Sequence, residues 1–194
     1  MRATSSKRCL AVSSTDTAPM LLALGARVTL VSASGTREID VADLYNNDGM
    51  RYLTRRPDEL LTRIEIPDAA QARSTYWKLR RRGSFDFPVG AAAAVATFDG
   101  DGCVTHVRLV LGAVASQPLR ADRAESLLMY EKLTDERIAA AADAAYEIAK
   151  PMDNTDFELV WRKKMIRALV TNALRELRGD DVRDARVRLA KQLF

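Results

Sequence analysis

The sequence predicts an α+β fold in which an antiparallel sheet is backed by a small bundle of helices. Up to residue 114 most apolar segments alternate with a period of two, which is typical of strands, and beyond residue 121 the period changes to 3.6. Turn residues separate the strand-like segments by short loops, as in hairpins. Because the helices follow the strands instead of alternating with them, a parallel βαβ arrangement is not favoured.

The first predicted elements are a short helix and a hairpin. The apolar run at residues 20–24 predicts the helix, which Ser14 or Thr15 can cap and Gly25 can end in the left-handed conformation. Residues 26–41 then alternate on both sides of a Ser-Gly turn, which predicts the hairpin.

A further strand is predicted at residues 60–66, where Pro67 ends it. Strict alternation places Leu60 with Thr62, Ile64 and Ile66 on one face of this strand, and Leu61 on the other. The aperiodic residues that follow, up to residue 73, read as a linker. We therefore expect a first unit at residues 1–68.

A second unit is expected at residues 69–179. Its strands are predicted at residues 75–81, 89–98 and 104–114, and the sequence Asp-Gly-Asp-Gly at residues 99–102 predicts a tight antiparallel turn between the last two. Three helices follow, at residues 121–129, from Thr134 to about residue 150, and from a capping box at residues 155–158 to Gly179. The charged residues 180–194 form a third segment, interpreted as a frayed or partner-dependent helix.

Composition excludes several classes of function. Lys and Arg number 30 against 26 Asp and Glu, so the net charge of +4 is weak evidence for nucleic-acid binding. Two cysteines, Cys9 and Cys103, and the single His106 cannot form a self-contained zinc or iron–sulfur site. No apolar run has the length of a membrane span or signal peptide, which favours a cytoplasmic setting.

Protein-only catalysis is also disfavoured. The sequence has no GxSxG motif, no P-loop and no dinucleotide-binding GxGxxG, and one histidine cannot serve as a complete acid–base system. The remaining possibility is a site in which a cofactor supplies the reactivity, while the protein supplies binding, orientation and electrostatics.

An uncommon combination of residues lies between Tyr76 and Val114, which contains YWK, RRR, FDF and LGAV in that order. Further short runs are STDTAP at residues 14–19, DELLT at 58–62, QPLRA at 117–121 and AKPMDN at 149–154. Together they resemble the FAD-binding middle subunit of molybdenum hydroxylases, the family of xanthine dehydrogenase and aerobic carbon monoxide dehydrogenase. The nearest branch by these motifs is the flavoprotein subunit of 4-hydroxybenzoyl-CoA reductase.

The resemblance implies a fold and a cofactor. Residues 1–68 would be the end of an FAD-binding α+β subdomain of the PCMH type. Residues 69–179 would be a CO dehydrogenase flavoprotein C-terminal-like domain, with a three-stranded antiparallel sheet packed on a helical bundle. The cofactor would be FAD, and the molybdenum cofactor and iron–sulfur clusters would lie on partner subunits of a hetero-oligomer.

The resemblance also implies flavin-binding residues. Thr15 and Asp16 match a pair at a helix start that approaches the flavin ring, although such residues commonly serve only as caps. Leu60 and Leu61 match a pair of which one packs on the isoalloxazine, and either could instead be an ordinary core leucine. Lys78 matches a lysine near the polar edge of the flavin, where a fixed cation would stabilise negative charge, and the alternative is a solvated lysine.

The sequence departs from the family at its N-terminal side. Two Gly-rich FAD-binding stretches of the family have no counterpart, and residues 4–9 read TSSKRC where the second would end. The resemblance therefore covers about the second half to two thirds of a full subunit. Cys9 occupies the position of the last cysteine ligand of an extra iron–sulfur cluster in the 4-hydroxybenzoyl-CoA reductase branch, and could act so only with cysteines from upstream.

The sequence supports two functions. The first is the C-terminal portion of a flavoprotein subunit of a molybdenum-dependent oxidoreductase, with FAD passing electrons between iron–sulfur centres of a partner and an external redox partner. The second is a non-catalytic assembly or interaction domain, derived from such a subunit, that no longer binds FAD.

Overall fold

The structure is a computed structural model that describes residues 7–82, 85–152 and 158–191. The predicted capping box and the turn at residues 83–84 fall largely outside these ranges. In chain order the elements are α1 (Ala18–Ala23), β1 (Arg27–Ser32), β2 (Gly35–Asp40), α2 (Val41–Leu44), β3 (Leu60–Glu65), β4 (Arg73–Leu79), β5 (Gly90–Phe98), β6 (Val104–Gly112), β7 (Leu119–Arg120), α3 (Asp122–Ser126), α4 (Asp135–Ile148), α5 (Leu159–Arg178) and α6 (Arg183–Lys191).

The strands form two antiparallel sheets. The first sheet has the order β2-β1-β3, and the second has the order β4-β5-β6-β7. The predicted α+β architecture, the hairpin β1–β2 and the three long strands of the second sheet are confirmed. The short helix α2 and the two-residue strand β7 were not predicted, and β7 makes the second sheet four-stranded.

The second sheet is the middle layer of the molecule. One of its faces packs against α4 and α5 and contributes Ala92, Ala94 and Leu109 to the larger hydrophobic core. The other face packs against α1 and the first sheet, where Ala93 and Val95 join a second core. Because both faces are covered, β5 has no solvent-facing side and its first seven residues are all buried.

Small residues allow the layers to approach the sheet closely. A Cβ atom added to Gly112 would lie 2.9 Å from the Cγ atom of Pro19 in α1. On the opposite face, a Cβ atom at Gly90 would lie 3.2 Å from the Cδ1 atom of Ile166 in α5. Alanine and glycine in β5 and β6 therefore set the separation between the sheet and both neighbouring layers.

The helix boundaries follow the predicted capping chemistry in part. The Thr134 side chain accepts a hydrogen bond from the backbone N–H of Arg137 at the start of α4. Gly179 ends α5 with a φ of +108°, a conformation that favours glycine. The helical pattern that places Ile166 and Leu169 in the core predicts that Leu159 also faces inward, but Leu159 is 37% exposed at the first position of α5, so this prediction is wrong.

The helix α6 is anchored to the second sheet through a polar cluster. The Glu176 carboxylate of α5 accepts hydrogen bonds from Thr75, from the indole Nε1 of Trp77 at 2.8 Å and from Arg186 of α6 at 2.6 Å. The Arg186 guanidinium also lies 4.4 Å from the centre of the Trp77 ring. Burial tends to raise the pKa of Glu176, but these three donors outweigh it and hold the pKa below its ordinary value.

Candidate functional site

Two of the predicted flavin-site residues, Asp16 and Lys78, meet in the structure. The Lys78 ammonium lies 2.6 Å from the Asp16 carboxylate, and only 18% of the Lys78 side chain is exposed. Alternation along β4 buries Trp77 and Leu79 on the helix side, so Lys78 lies on the face that packs against α1 and the first sheet. The pair therefore joins the second sheet to the segment that precedes α1.

The position of α1 corrects the expectation that Ser14 or Thr15 caps it. The N-cap is Thr17, whose side chain makes no capping hydrogen bond, and Pro19 occupies the first turn. Thr15 and Asp16 thus lie just before the helix instead of at its cap. The segment that carries them is tethered to the loop between β6 and β7, where the Ser13 backbone N–H donates to the carbonyl of Ala115 at 2.8 Å.

The Tyr76 hydroxyl is a second polar group beside this pair. Tyr76 lies two residues before Lys78 on the same face of β4 and packs against the core between the two sheets. Its hydroxyl is buried, and among the described residues it has no hydrogen-bond partner. Burial, and then the negative charge of Asp16, raise the pKa of Tyr76, so the hydroxyl is a neutral donor.

The strand β3 places Leu60 and Leu61 on opposite faces of the first sheet. Leu61 lies opposite Leu30 and Leu60 opposite Val31, and the register shifts by one residue between Thr29 and Leu30 of β1. The shift breaks the strict alternation predicted for β3, because Ile64, opposite the buried Val28, now shares a face with Leu61. All residues of β3 are exposed, with Leu60 71% and Leu61 40% accessible, so neither is a core leucine.

A buried carboxylate anchors the start of β3. Glu59 is 1% exposed and accepts hydrogen bonds from Arg37 of β2, at 2.6 and 2.9 Å, and from the backbone N–H of Arg56 at 2.7 Å. The hydrogen bonds from Arg37 are the main reason that the pKa of Glu59 is lowered to about 2. This clamp fixes the residues immediately before Leu60 and Leu61, and sequence analysis did not identify it.

Cys9 makes hydrogen bonds with residues other than Asp16 and Lys78. Its backbone N–H donates to the Asp48 carboxylate at 3.1 Å, and its carbonyl accepts from the Gly49 N–H and the Ser116 hydroxyl. Within the described part of the chain, no group of three or more His, Cys, Asp or Glu residues could hold a metal ion. Among the described residues, Cys9 therefore belongs to no group that could hold a metal ion.

The arrangement can bind and orient an electron-rich ligand. It offers a mostly buried ammonium, a neutral hydroxyl that lacks an acceptor, and an extended backbone segment that precedes a short helix. It contains no nucleophile paired with a general base. An unsatisfied buried donor beside a fixed cation is consistent with a cofactor that presents carbonyl oxygens or negative charge, so these residues fit a flavin.

Comparison with known proteins identifies the family. Residues 74–177 match the model of the CO dehydrogenase flavoprotein C-terminal domain, and residues 9–69 match the FAD binding domain in molybdopterin dehydrogenase. The chain belongs to this family of flavoprotein subunits of FAD-containing dehydrogenases, as the resemblance in its sequence had indicated.

Individual relatives agree with this assignment. The chain is 28% identical to the alpha subunit of the 6-hydroxypseudooxynicotine dehydrogenase complex of Paenarthrobacter nicotinovorans, over 80% of this chain and 52% of the relative. It is 29% identical to the carbon monoxide dehydrogenase medium chain of Afipia carboxidovorans, over 82% and 54%. It is also similar to the solved carbon monoxide dehydrogenase of Hydrogenophaga pseudoflava, with a TM-score of 0.77 and 28% identity over 83% and 55% of the two chains.

The chain spans about half the length of the curated relatives that it matches. In the part of the chain that the structure describes, no helix has the length and apolar character needed to cross a membrane.

Proposed function

We propose that this chain forms part of the FAD site of a molybdenum-dependent oxidoreductase, and that electrons pass through this site between iron–sulfur centres of a partner subunit and an external redox partner. The observation that carries the proposal is the meeting of Asp16 and Lys78, two residues selected by resemblance, across the boundary between the two matched domains. That boundary falls, in the proposal, at residues 68–69. FAD supplies the redox chemistry, since it can take up and release electrons and gains negative charge on reduction.

Lys78 would provide the electrostatic contribution of the protein. Asp16 already holds the Lys78 ammonium in place, where it is largely excluded from water. Little reorganisation is therefore needed for this ammonium to stabilise an anionic edge of the flavin. Asp16 orients the ammonium, and the segment that carries Thr15 and Asp16 would contact the flavin. The Tyr76 hydroxyl, which has no partner among the described residues, would donate to the same ligand.

Leu61 is the better candidate of the two leucines for contact with the ring. It lies on the same face of the first sheet as Leu30, which belongs to the core that also includes Tyr76. Leu60 lies on the opposite face. The Glu59 clamp would fix the position of Leu61 in the site, because it immobilises the start of β3.

The wider setting is also a proposal. Partner subunits would carry the molybdenum cofactor and iron–sulfur clusters, the substrate would react at the molybdenum site, and the complex would be cytoplasmic. The motifs between Tyr76 and Val114, together with the position of Cys9, support 4-hydroxybenzoyl-CoA reduction as the specific reaction, on sequence resemblance alone.

A second candidate function is an assembly domain that does not bind FAD. It is favoured by β3, which among the described strands pairs only with β1 and exposes Leu60, Leu61 and Ile64 to solvent along an open sheet edge. Such an edge is a natural site for pairing with another strand. In the first function the protein binds flavin. In the second, the exposed edge of β3 pairs with a partner and no flavin is bound.

Replacing Lys78 by Met tests its role in the flavin site, in a protein where the N-terminal half of a family subunit is supplied by fusion. The substitution keeps the aliphatic stem and removes a charge, so the more negative reduced form of the cofactor loses stabilisation. A partly screened charge contributes about 1 kcal/mol, which is about 20 mV for a two-electron couple. We expect the midpoint potential, measured by spectroelectrochemistry, to fall by about this amount.

The matched control is Lys132→Met, which removes an exposed lysine beside the β5–β6 turn. This turn is about 25 Å from Lys78 along the sheet, since it begins seven to eight residues beyond Ala91, the partner of Lys78, at about 3.4 Å per residue. The control should leave the potential unchanged. If Lys78→Met and Lys132→Met gave the same potential as the unmodified protein, Lys78 would be a structural lysine and not a flavin-site residue.

A further inference from the structure

A cleft separate from the candidate flavin site opens between the N-terminal unit and the second sheet. It has a volume of about 380 Å³ and lies between the end of α1, the linker at residues 67–72 and the strands β5 and β6. Val95 and Thr97 line it, whereas Lys78 pairs with Ala91, four and six residues earlier on β5, a separation of about 14–20 Å.

Two basic side chains, Arg108 and His106, face this cleft. They lie two residues apart on β6 and therefore share one face of the sheet. In the described part of the chain, neither makes a hydrogen bond or an ion pair. Arg108 differs in this from Arg37 and Arg120, whose guanidinium groups are bound to the buried carboxylates of Glu59 and Glu125.

The Arg108 side chain is half-buried, and its guanidinium lies against Gly25. A Cβ atom at Gly25 would lie 2.2 Å from the Nη1 atom of Arg108, so the guanidinium rests directly against the glycine backbone. The φ of +69° at Gly25 also favours glycine. The fold thus holds a cation in a partly desolvated position with its donors unused, an arrangement that an anionic ligand would complete.

The rest of the cleft defines the kind of anion. Its walls are mostly apolar and include Leu24, Pro67 and Val95. The linker adds the amide of Gln71 and the carboxylate of Asp68, and this carboxylate accepts a hydrogen bond from the Ala70 backbone N–H at 2.9 Å. A planar guanidinium is matched in geometry by a carboxylate, which it can bind through two parallel hydrogen bonds. We propose that this cleft binds a small carboxylate with an apolar body about the size of one aromatic ring, the carboxylate on Arg108 and beside His106 at the rim.

The test uses the full chain and its single histidine. Because there is only one, the imidazole C2–H resonance in a ¹H NMR spectrum reports on this cleft alone. We expect phenylacetate to shift that resonance saturably, with a Kd on the order of 1 mM, as for a small ligand with one strong polar contact. Benzyl alcohol, which lacks the carboxylate, should produce no saturable shift.

Variants separate this site from general anion binding. Arg108→Gln should weaken phenylacetate binding at least tenfold, whereas Arg63→Gln, an exposed arginine of β3, should leave it unchanged. If Arg108→Gln does not fold, Ala70→Leu, which narrows the cleft from the linker, should weaken binding at least fivefold instead. Equal shifts with benzyl alcohol or with inorganic phosphate, or no saturable shift with phenylacetate, would overturn the assignment to a carboxylate.

Discussion

Replacing Trp77 by Ala is expected to destabilise the chain by about 3–5 kcal/mol, the usual range for truncating a fully buried aromatic residue. The Trp77 side chain is 0% exposed and belongs to the larger core between the second sheet and α5. Its loss would leave a cavity, remove one donor to Glu176 and remove the ring on which Arg186 rests. Urea unfolding followed by far-UV circular dichroism measures the change.

Trp77→Phe is the matched variant for this prediction. It retains most of the buried ring and removes the indole N–H, so the destabilisation should be well below that of Trp77→Ala. Equal destabilisation by the two variants would mean that the hydrogen bond to Glu176, not core packing, dominates at this position. No destabilisation by Trp77→Ala would contradict the packing described for β4 and α5.

Replacing Gly112 by Ala is also expected to destabilise the chain. The new methyl group would lie 2.9 Å from Pro19 and 3.2 Å from the Cβ atom of Ala91, so either α1 or β5 must move. Overpacking of this kind costs about 1–3 kcal/mol. Because Asp16 lies three residues before Pro19, the displacement should also disturb its ion pair with Lys78 and weaken flavin binding under the proposed function.

Gly100→Ala controls for the loss of a glycine as such. Gly100 lies in the β5–β6 turn, and a Cβ atom there would meet no heavy atom within 4 Å. We expect its free energy of unfolding to change by no more than about 0.5 kcal/mol. The close contact between α1 and β6 would be contradicted if Gly112→Ala and Gly100→Ala unfolded at the same urea concentration.

Local sequence signals predicted most of the elements. The turn at residues 99–102 and the glycines at 25 and 179 marked the ends of elements correctly, because few other residues adopt the conformations required there. The strand β5 was predicted although four consecutive alanines favour a helix. Its flanking turns decided the prediction, and burial on both faces explains why alanine is tolerated in this strand.

Long-range features were not accessible from sequence patterns. Neither the ion pair of Asp16 with Lys78 nor the clamp of Arg37 on Glu59 follows from spacing, because each joins segments more than twenty residues apart. The register shift beside Thr29 moved Ile64 to the face of Leu61, which alternation alone cannot predict. The segment that forms α6 was predicted to be a frayed or partner-dependent helix. Its anchor, the contact between Arg186 and Trp77, depends on tertiary packing and is not visible in the sequence pattern.

Whether this chain supplies part of an FAD site is tested by the flavin content of the purified protein. The chain would be fused to the N-terminal half of a family subunit, such as the carbon monoxide dehydrogenase medium chain of Afipia carboxidovorans, and its absorption spectrum recorded. If the chain supplies part of the FAD site, we expect a yellow protein with flavin bands and close to one FAD per chain. A folded, colourless protein that does not take up added FAD would contradict it and favour the assembly domain.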